Sequence, residues 1–305
     1  MLVFVASDKG GTGRSVTSSN LVYRSALQGA AACYLDFDFG SPTAGAIFNL
    51  TDVSNGTRNG GLHSYLEGRF PAPERLDVWA TSDRAGLRNR PPGAGQLVLL
   101  PGDHGGSEFQ TSPEIARLCG ELFLQLAEQF DLIVVDLSAG RSYAVDMALA
   151  ATAMPYVRDI KSRWLVFHRW TRQHVLAAAS LVYDQDGILD TGKRHKHDPE
   201  ELAGSLRFVR TAVIDPGSEE LSGLRPAQIA FLRECDRDLV DHASRLNIGR
   251  TRVLGSIPLD PLLQWREQLI SDNDVYNRRI ANAATVAAFE KLAVDLIDDA
   301  TWGVV

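Results

Sequence analysis

Hydrophobic and polar positions along the chain form two kinds of segment. Short apolar runs bounded by turn residues predict buried strands at 2–6, 32–37, 96–102, 131–137, 163–169, 206–215 and 251–260. Longer segments with an apolar face predict helices over 15–29, 112–130, 225–245 and 277–297. Strands and helices follow one another in turn, and the strand at 131–137 has no polar alternation. The pattern therefore predicts an α/β fold, a doubly wound, mostly parallel sheet with helices on both faces.

Three stretches rich in turn-forming or charged residues interrupt this alternation. They lie near 51–61, 81–95 and 185–201, and we expect them to be loop excursions. The sequence has no internal repeat and no clean linker. We therefore predict a single domain over 1–305.

Composition and charge narrow the class of protein. The chain has 305 residues, of which 45% are hydrophobic and 23% charged, as in an ordinary globular protein. The net charge of −7 argues against wholesale nucleic-acid binding and leaves room only for a local basic patch. Three cysteines without a CxxC pair predict neither a disulfide framework nor a cysteine metal site, and we expect a cytoplasmic protein. No apolar run approaches the ~18 residues of a membrane helix, so no integral membrane segment is expected.

The glycine-rich stretch "DKGGTGRS", residues 8–15, lies between the first predicted strand and the first predicted helix. Its glycines let successive backbone N–H groups wrap around an anion, and the helix start adds partial positive charge. Ser15 opens the helix with a hydroxyl suited to Mg²⁺. The stretch differs from the usual GxxxxGK[ST] pattern because Asp8 replaces the first glycine and Arg14 replaces the lysine.

Lys9, near the start of this stretch, makes its pattern more specific than that of a general phosphate-binding loop. "KGGTGRS" resembles the deviant Walker A loop of the ParA/MinD family of P-loop ATPases, and the following "SVTSSNL" is similar to the family's continuation. The resemblance implies ATP and Mg²⁺ as cofactors and a homodimer with ATP at its interface. Lys9 would then reach the partner's nucleotide as a catalytic residue. The loop residues implied to bind the nucleotide are Gly10, Gly11, Thr12, Gly13, Arg14, Ser15 and Val16.

An acidic segment follows the second predicted strand. "YLDFDFGSPTAGAIF", residues 34–48, resembles the family's switch I region, which implies that Asp38 positions the attacking water and that Asp36 supports the metal. Two carboxylates at i and i+2 leaving a strand lie on one side of it, close enough to share a hydrated ion. The alternative for Asp36 is a purely structural role, accepting backbone hydrogen bonds at the strand end.

A second acidic segment, "FDLIVVDLSAG" at 130–140, resembles the Walker B and switch II region. The resemblance implies that Asp136 holds Mg²⁺ through water, so that the implied metal ligands are Ser15, Asp36 and Asp136. It also implies that the Gly140 N–H approaches the γ-phosphate. Ser138 stands where the family usually has proline.

The nucleotide base is implied to lie near the last predicted strand. "VLGSIPLDP", residues 253–261, resembles the family's strand ending in I-P-x-D, which makes Pro258, Leu259 and Asp260 candidate base contacts. A plain turn is the alternative for this segment. The family often has a base-reading asparagine near 208–215, and none occurs there.

Arg14 changes the expected activity rather than the expected ligand. An arginine keeps the positive charge and can bridge phosphate oxygens, but it is longer, planar and bidentate. Phosphoryl transfer depends on exact placement of charge, so a displaced cation lowers the rate. We therefore expect a slowly hydrolysing ATPase that works as a switch in positioning, partitioning or regulation, such as cell division or chromosome partitioning.

One region of the sequence is a candidate for contact with a partner. Basic and aromatic residues alternate over 158–172, which could contact DNA, a protein partner or the facing protomer, or form a solvated loop. A basic amphipathic tail for a membrane surface is missing, so a protein partner or stimulator is expected. Two other functions stay open, namely an ATP-dependent metabolic synthetase or ligase and a non-hydrolysing nucleotide-binding regulatory subunit.

Overall fold

The computed structural model describes residues 1–218, 221 and 223–303. In this part of the chain, eight strands form one sheet in the order β3-β4-β2-β5-β1-β6-β7-β8. Every neighbouring pair is parallel except β3 and β4. The strands are β1 Leu2–Ala6, β2 Ala32–Phe37, β3 Leu76–Asp77, β4 Leu97–Leu100, β5 Leu132–Leu137, β6 Ser162–Arg169, β7 Leu206–Val213 and β8 Val253–Pro258. The predicted fold class is confirmed.

Helices cover both faces of the sheet. Their bounds are α1 Arg14–Leu27, α2 Ala44–Ile47, α3 Leu62–Leu66, α4 Val78–Thr81, α5 Pro113–Ala127, α6 Tyr143–Thr152, α7 Pro155–Arg158, α8 Arg172–Tyr183, α9 Ile188–Arg194, α10 Pro199–Gly204, α11 Pro226–Arg245, α12 Pro261–Trp265, α13 Asp272–Tyr276 and α14 Ala283–Ile297. Helices α1 and α14 pack on one face, and α5, α6 and α8 pack on the other. No helix among the described residues is long and apolar enough to cross a membrane.

The strand β1 shows why the central strands lack polar alternation. Its side chains alternate between the two faces, so Phe4 packs with Phe123 of α5 while Val3 and Val5 belong to the core beneath α1 and α14. Both faces are covered, and every β1 residue is buried. Apolar residues are therefore needed at each position.

Helix ends follow the local signals in the sequence. The Ser112 hydroxyl accepts a hydrogen bond from the Ile115 N–H at the start of α5. Gly29 adopts a φ of 104° just beyond the end of α1, a conformation that favours glycine.

The stretch 185–201 was expected to be a loop excursion, and this expectation is wrong. It contains α9 and the start of α10. Ile188 and Leu202 are buried in the core, and the Asp198 carboxylate caps α10 by accepting from the N–H groups of Glu200 and Glu201. Charged residues dominate the local sequence, but a few apolar anchors determine its structure. The stretches at 51–61 and 81–95 contain only short helical turns, at Thr51–Val53, Ala85–Leu87 and the end of α4.

The order of the strands determines where the functional segments meet. Strands β2, β5 and β1 are neighbours, and their carboxyl ends lie at the same edge of the sheet. The glycine-rich loop follows β1, Asp38 follows β2, and Asp136 lies near the end of β5. The strand order reverses at this place, where open α/β sheets form their binding crevice.

Candidate functional site

The glycine-rich loop has the backbone geometry of an anion site. Gly11 and Gly13 have φ values of 70° and 74°, in the left-handed region that glycine tolerates. The N–H groups of Gly10, Gly11 and Gly13 donate to no backbone carbonyl in the described part of the chain. Helix α1 begins directly afterwards, and no side chain caps its first turn. The free N–H groups and the helix start are therefore available to a phosphate.

Lys9 lies at the solvent side of this loop. Its side chain is exposed, and in the described part of the structure its ammonium group makes no hydrogen bond or ion pair. The loop beneath it is held by the Ser7 hydroxyl, which donates to the Lys9 carbonyl at 3.1 Å. Lys9 can therefore meet a group outside its own chain. Its role toward a partner's nucleotide stays a prediction.

Arg14 turns inward, toward the acidic residues. Its Nε lies 2.5 Å from Asp136 Oδ1, and its Nη2 lies 3.0 Å from Asp38 Oδ2 and 3.3 Å from Ser15 Oγ. Nη1 also donates to the Ser7 hydroxyl at 3.3 Å, and only 6% of the side chain is exposed. Burial disfavours the charge, but the carboxylates of Asp136 and Asp38 outweigh burial and raise the pKa of Arg14. The guanidinium is thus a fixed cation inside the site.

A tyrosine completes the surroundings of Asp136. The Tyr34 hydroxyl donates to Asp136 Oδ2 at 2.7 Å, while Arg14 takes the other oxygen. Ser18 Oγ lies 2.9 Å from the same tyrosine hydroxyl. Sequence reasoning did not include Tyr34. Its position two residues before Asp36 in β2 could have indicated that Tyr34 belongs to the site, because residues i and i+2 of a strand have their side chains on the same face of the sheet.

The Asp36 carboxylate accepts hydrogen bonds from the backbone. Its Oδ2 accepts from the Ala44 N–H at 3.0 Å and its Oδ1 accepts from the Asp38 N–H at 3.3 Å. Burial, together with the charge of Asp136, raises the pKa of Asp36 well above its ordinary value. In this structure Asp36 stabilises the turn after β2, which is the structural alternative stated above. A role in binding metal stays a prediction.

Asp38 lies at the mouth of the site. Its side chain is 26% exposed, and burial raises its pKa although Arg14 opposes this shift. Glu108 lies near Asp38 and Ser138, and burial raises its pKa as well. Glu108 comes from a loop after β4 that no sequence pattern connects with the site.

The residues implied for magnesium do not fit the ion in this arrangement. Of the implied ligands Ser15, Asp36 and Asp136, the Asp36 carboxylate is bonded to the backbone N–H groups of Ala44 and Asp38. Ser15 and Asp136, together with Asp38, provide oxygen atoms of the kind that Mg²⁺ prefers. However, the Arg14 guanidinium fills the space between these oxygens. Across the residues that the structure describes, no group of three or more His, Cys, Asp and Glu side chains is arranged to hold a metal ion.

The switch II segment is also held by internal contacts. The Gly140 N–H donates to the Ser7 carbonyl at 2.8 Å, with a φ of 79° at this glycine. The Ser138 hydroxyl donates to the Phe37 carbonyl at 3.1 Å, which connects β5 with β2 where the family usually has proline. The Gly140 N–H can approach a γ-phosphate only after it leaves Ser7, so its predicted role requires a rearrangement.

A cavity of about 240 Å³ joins the glycine-rich loop to the end of β8. Pro258 and Asp260 line it, whereas Leu259 donates its N–H to the Val213 carbonyl and is not among the lining residues. The other lining residues include Gly11, Thr12, Gly13, Val16, Arg169 and Thr211. Sequence reasoning did not include Arg169 or Thr211 in the site. The cavity is a candidate pocket for the nucleoside part of a nucleotide.

The Asp260 side chain has a structural role beside this cavity. It accepts from the Leu262 N–H at 2.9 Å, the Asn282 N–H at 2.9 Å and the Thr285 hydroxyl at 2.8 Å. The carboxylate therefore connects the starts of α12 and α14. Its predicted contact with a base stays untested.

Comparison with solved structures gives the fold family. The chain is similar to Pyrococcus horikoshii MinD complexed with Mg-ADP, with 17% identity, a TM-score of 0.55 and coverage of 98% of this chain and 96% of that one. It is also similar to a Cyanothece McdA variant in complex with ATP, with 15% identity, a TM-score of 0.62 and coverage of 97% and 95%. A third similar structure is the MinC:MinD cell division complex of Aquifex aeolicus, with 16% identity, a TM-score of 0.58 and coverage of 97% and 95%. The chain has the ParA/MinD fold. No protein-family model and no curated protein matches the sequence.

On the ParA/MinD fold of this chain, the stretch 158–172 does not form one basic surface, which corrects the expectation from sequence. Lys161 and Arg163 both pair with Asp299 near the amino end of β6, and Arg163 also lies over the Trp302 ring. Arg169 lies at the opposite end of the same strand. The strand separates the charges, because β6 itself is part of the core. Arg169 and Arg172 remain together at the carboxyl end of β6 and the start of α8, so a contact of this edge with DNA, a protein partner or the facing protomer stays a prediction.

Proposed function

We propose that this chain is an ATP-binding switch that hydrolyses ATP slowly and forms a homodimer with nucleotide at the interface. The observation that carries the proposal is the glycine-rich loop, in which the N–H groups of Gly10, Gly11 and Gly13 and the Lys9 ammonium group have no partner among the described residues. The ParA/MinD fold supports it, because similar structures with this fold contain ADP or ATP. Mg²⁺, with Ser15, Asp36 and Asp136 as its ligands, belongs to the proposal only for a state in which Arg14 has moved.

The face beside Lys9 supports the dimer. Lys9 lines a shallow cavity together with residues of α8, and this helix exposes Leu176 and Tyr183 by 43% and 37%. Apolar side chains beside a lysine that has no partner in the described part of the chain are what a second protomer would cover. Lys9 would then approach the phosphates held by the facing loop.

The output of the switch is proposed to be protein recruitment in positioning, partitioning or regulation. One similar structure is a complex of MinD with MinC, which is a protein partner. Within 158–172, Lys161 and Arg163 are paired with Asp299, so this stretch supports a protein partner or stimulator more than DNA.

A single-turnover ATPase assay tests the proposed hydrolysis. We expect Asp38→Ala to lower phosphate release by about 10²-fold or more, because Asp38 would orient the water, while ADP affinity changes little. Asp103→Ala is a matched control, since Asp103 is a carboxylate at the end of β4 that bonds to Gly61 and Ser64 outside the site. Equal rates for the wild type and Asp38→Ala would contradict hydrolysis at this site.

A non-hydrolysing regulatory subunit is the second candidate. The ion pair between Arg14 and Asp38 favours it, because a carboxylate held by a guanidinium is less available to a water molecule. In that case the assay would show ADP and ATP binding without phosphate release in any variant.

A further inference from the structure

Arg14 lies between two of the predicted metal ligands, Ser15 and Asp136, and the candidate catalytic residue Asp38. Its guanidinium contacts Ser15, Asp38 and Asp136 through two different nitrogens. The second oxygen of Asp136 is taken by Tyr34. The oxygen donors that a divalent cation would share are therefore bound to a cation of the chain itself.

We propose that the Arg14 guanidinium is the resident cation of this site and competes with Mg²⁺ for the same oxygens. The inference rests on the proposed nucleotide function and concerns the regulation of that site. The guanidinium is buried, so a second cation cannot bind to Asp38 and Asp136 while Arg14 stays. Mg²⁺ must first displace Arg14, which breaks two ion pairs.

Two consequences follow for binding. Without nucleotide, the wild-type chain has no measurable affinity for Mg²⁺ alone. With nucleotide, Mg²⁺ strengthens binding only slightly, because part of its binding free energy is used to displace Arg14. The site is thus expected to accept a nucleoside diphosphate or triphosphate almost as well without divalent cation.

A lysine at this position would behave differently. The contact with Asp136 is made by Nε, and lysine has a carbon at that place in its side chain. An ammonium group is one point of charge and cannot pair with Asp136 and Asp38 through separate nitrogens. Arg14→Lys therefore keeps the charge but releases oxygens for Mg²⁺.

The first test uses Mg²⁺ alone, without nucleotide. Thermal unfolding is measured with and without millimolar MgCl₂ at matched ionic strength for the wild type, Arg14→Lys and Arg14→Ala. We expect no shift of Tm for the wild type and a rise of several degrees for Arg14→Ala, where Asp38 and Asp136 lose their neutralising cation. An equal rise for the wild type would overturn the proposal.

The second test does not depend on how Arg14→Ala folds. The dissociation constant of ADP is measured by calorimetry in EDTA and in millimolar MgCl₂. We expect a change within about threefold for the wild type and a gain of about tenfold or more for Arg14→Lys. Arg24→Lys is the matched control, since Arg24 is a buried arginine paired with Asp272 and Glu290 away from the site, and it should respond as the wild type does.

The two tests separate this inference from the proposed function. If the wild type binds ADP with the same Mg²⁺ dependence as Arg14→Lys, the nucleotide function stands and the role of Arg14 is refuted. If no variant binds ADP, the proposed function fails, and the Mg²⁺ unfolding test still decides whether Arg14 excludes the ion.

Discussion

Arg14 keeps the positive charge of the lysine that the usual loop pattern has, but its charged group lies at a different place in the site. A sequence comparison with the ParA/MinD loop predicts a cation that faces the phosphates, whereas the structure turns it toward Asp38 and Asp136. The reason is geometric, because a planar guanidinium can pair with two carboxylates at once. The sequence alone could not predict this, since Asp136 is 122 positions away and the direction of a side chain depends on such distant neighbours.

His168, which precedes Arg169 at the carboxyl end of β6, provides a test at the scale of a single residue. Its side chain is 1% exposed, and burial lowers its pKa from 6.5 to about 4. Its Nδ1 lies 3.2 Å from the Arg169 carbonyl and can only donate to it, while Nε2 has no hydrogen-bond partner among the described residues. Protonation of this ring is therefore unfavourable in the folded state.

We expect the free energy of unfolding to fall as the pH decreases from 7 toward 4.5. Between the two pKa values the unfolded chain binds a proton that the folded chain does not, so stability decreases as the pH falls, by about 2–3 kcal/mol at pH 4.5. His168→Asn keeps a donor near Nδ1 but cannot bind this proton. Urea unfolding at several pH values should therefore give a smaller pH dependence for the variant, and identical pH profiles would refute the assignment.

At the scale of elements, the structure shows which sequence patterns were sufficient to predict a strand or a helix. The strands β1, β2 and β5 lie where their continuous apolar runs predict them, because both faces of a parallel sheet are covered. Strand β3 has only two residues and is antiparallel, so it carries no usable pattern. Helix α9 was not predicted because Ile188 is its only large apolar side chain that is fully buried, and charged residues dominate the rest of its sequence.

Asp260 joins two elements, and its substitution tests that connection. Asp260→Ala leaves three donors at the starts of α12 and α14 without their acceptor. We expect a loss of about 3 kcal/mol in the free energy of unfolding, measured with urea. Asp260→Asn keeps one carbonyl oxygen and should lose less. If both variants are as stable as the wild type but bind ATP weakly, Asp260 acts on the nucleotide and not on the helices.

At the scale of the whole molecule, the strand order brings together loops that are far apart in the sequence. The segments after β1, β2 and β5 meet because these strands are neighbours, and this arrangement was predictable once the fold class was known. The hydrogen bonds and ion pairs within the site were not predictable, because the contacts of Arg14, Tyr34 and Gly140 depend on the packed structure. A single domain over 1–305 stays a prediction.

The central claim is that ATP joins two copies of this chain through Lys9. The most direct measurement is the molar mass by light scattering, without nucleotide, with Mg-ADP and with Mg-ATP, for the wild type and Lys9→Ala. Lys161→Ala serves as the control, because this lysine pairs with Asp299 away from the loop. We expect a dimer only for the wild type and the control in Mg-ATP, and a monomer for Lys9→Ala in every condition. A wild-type mass that is the same in all three conditions, with ATP binding confirmed in those samples, would contradict the account.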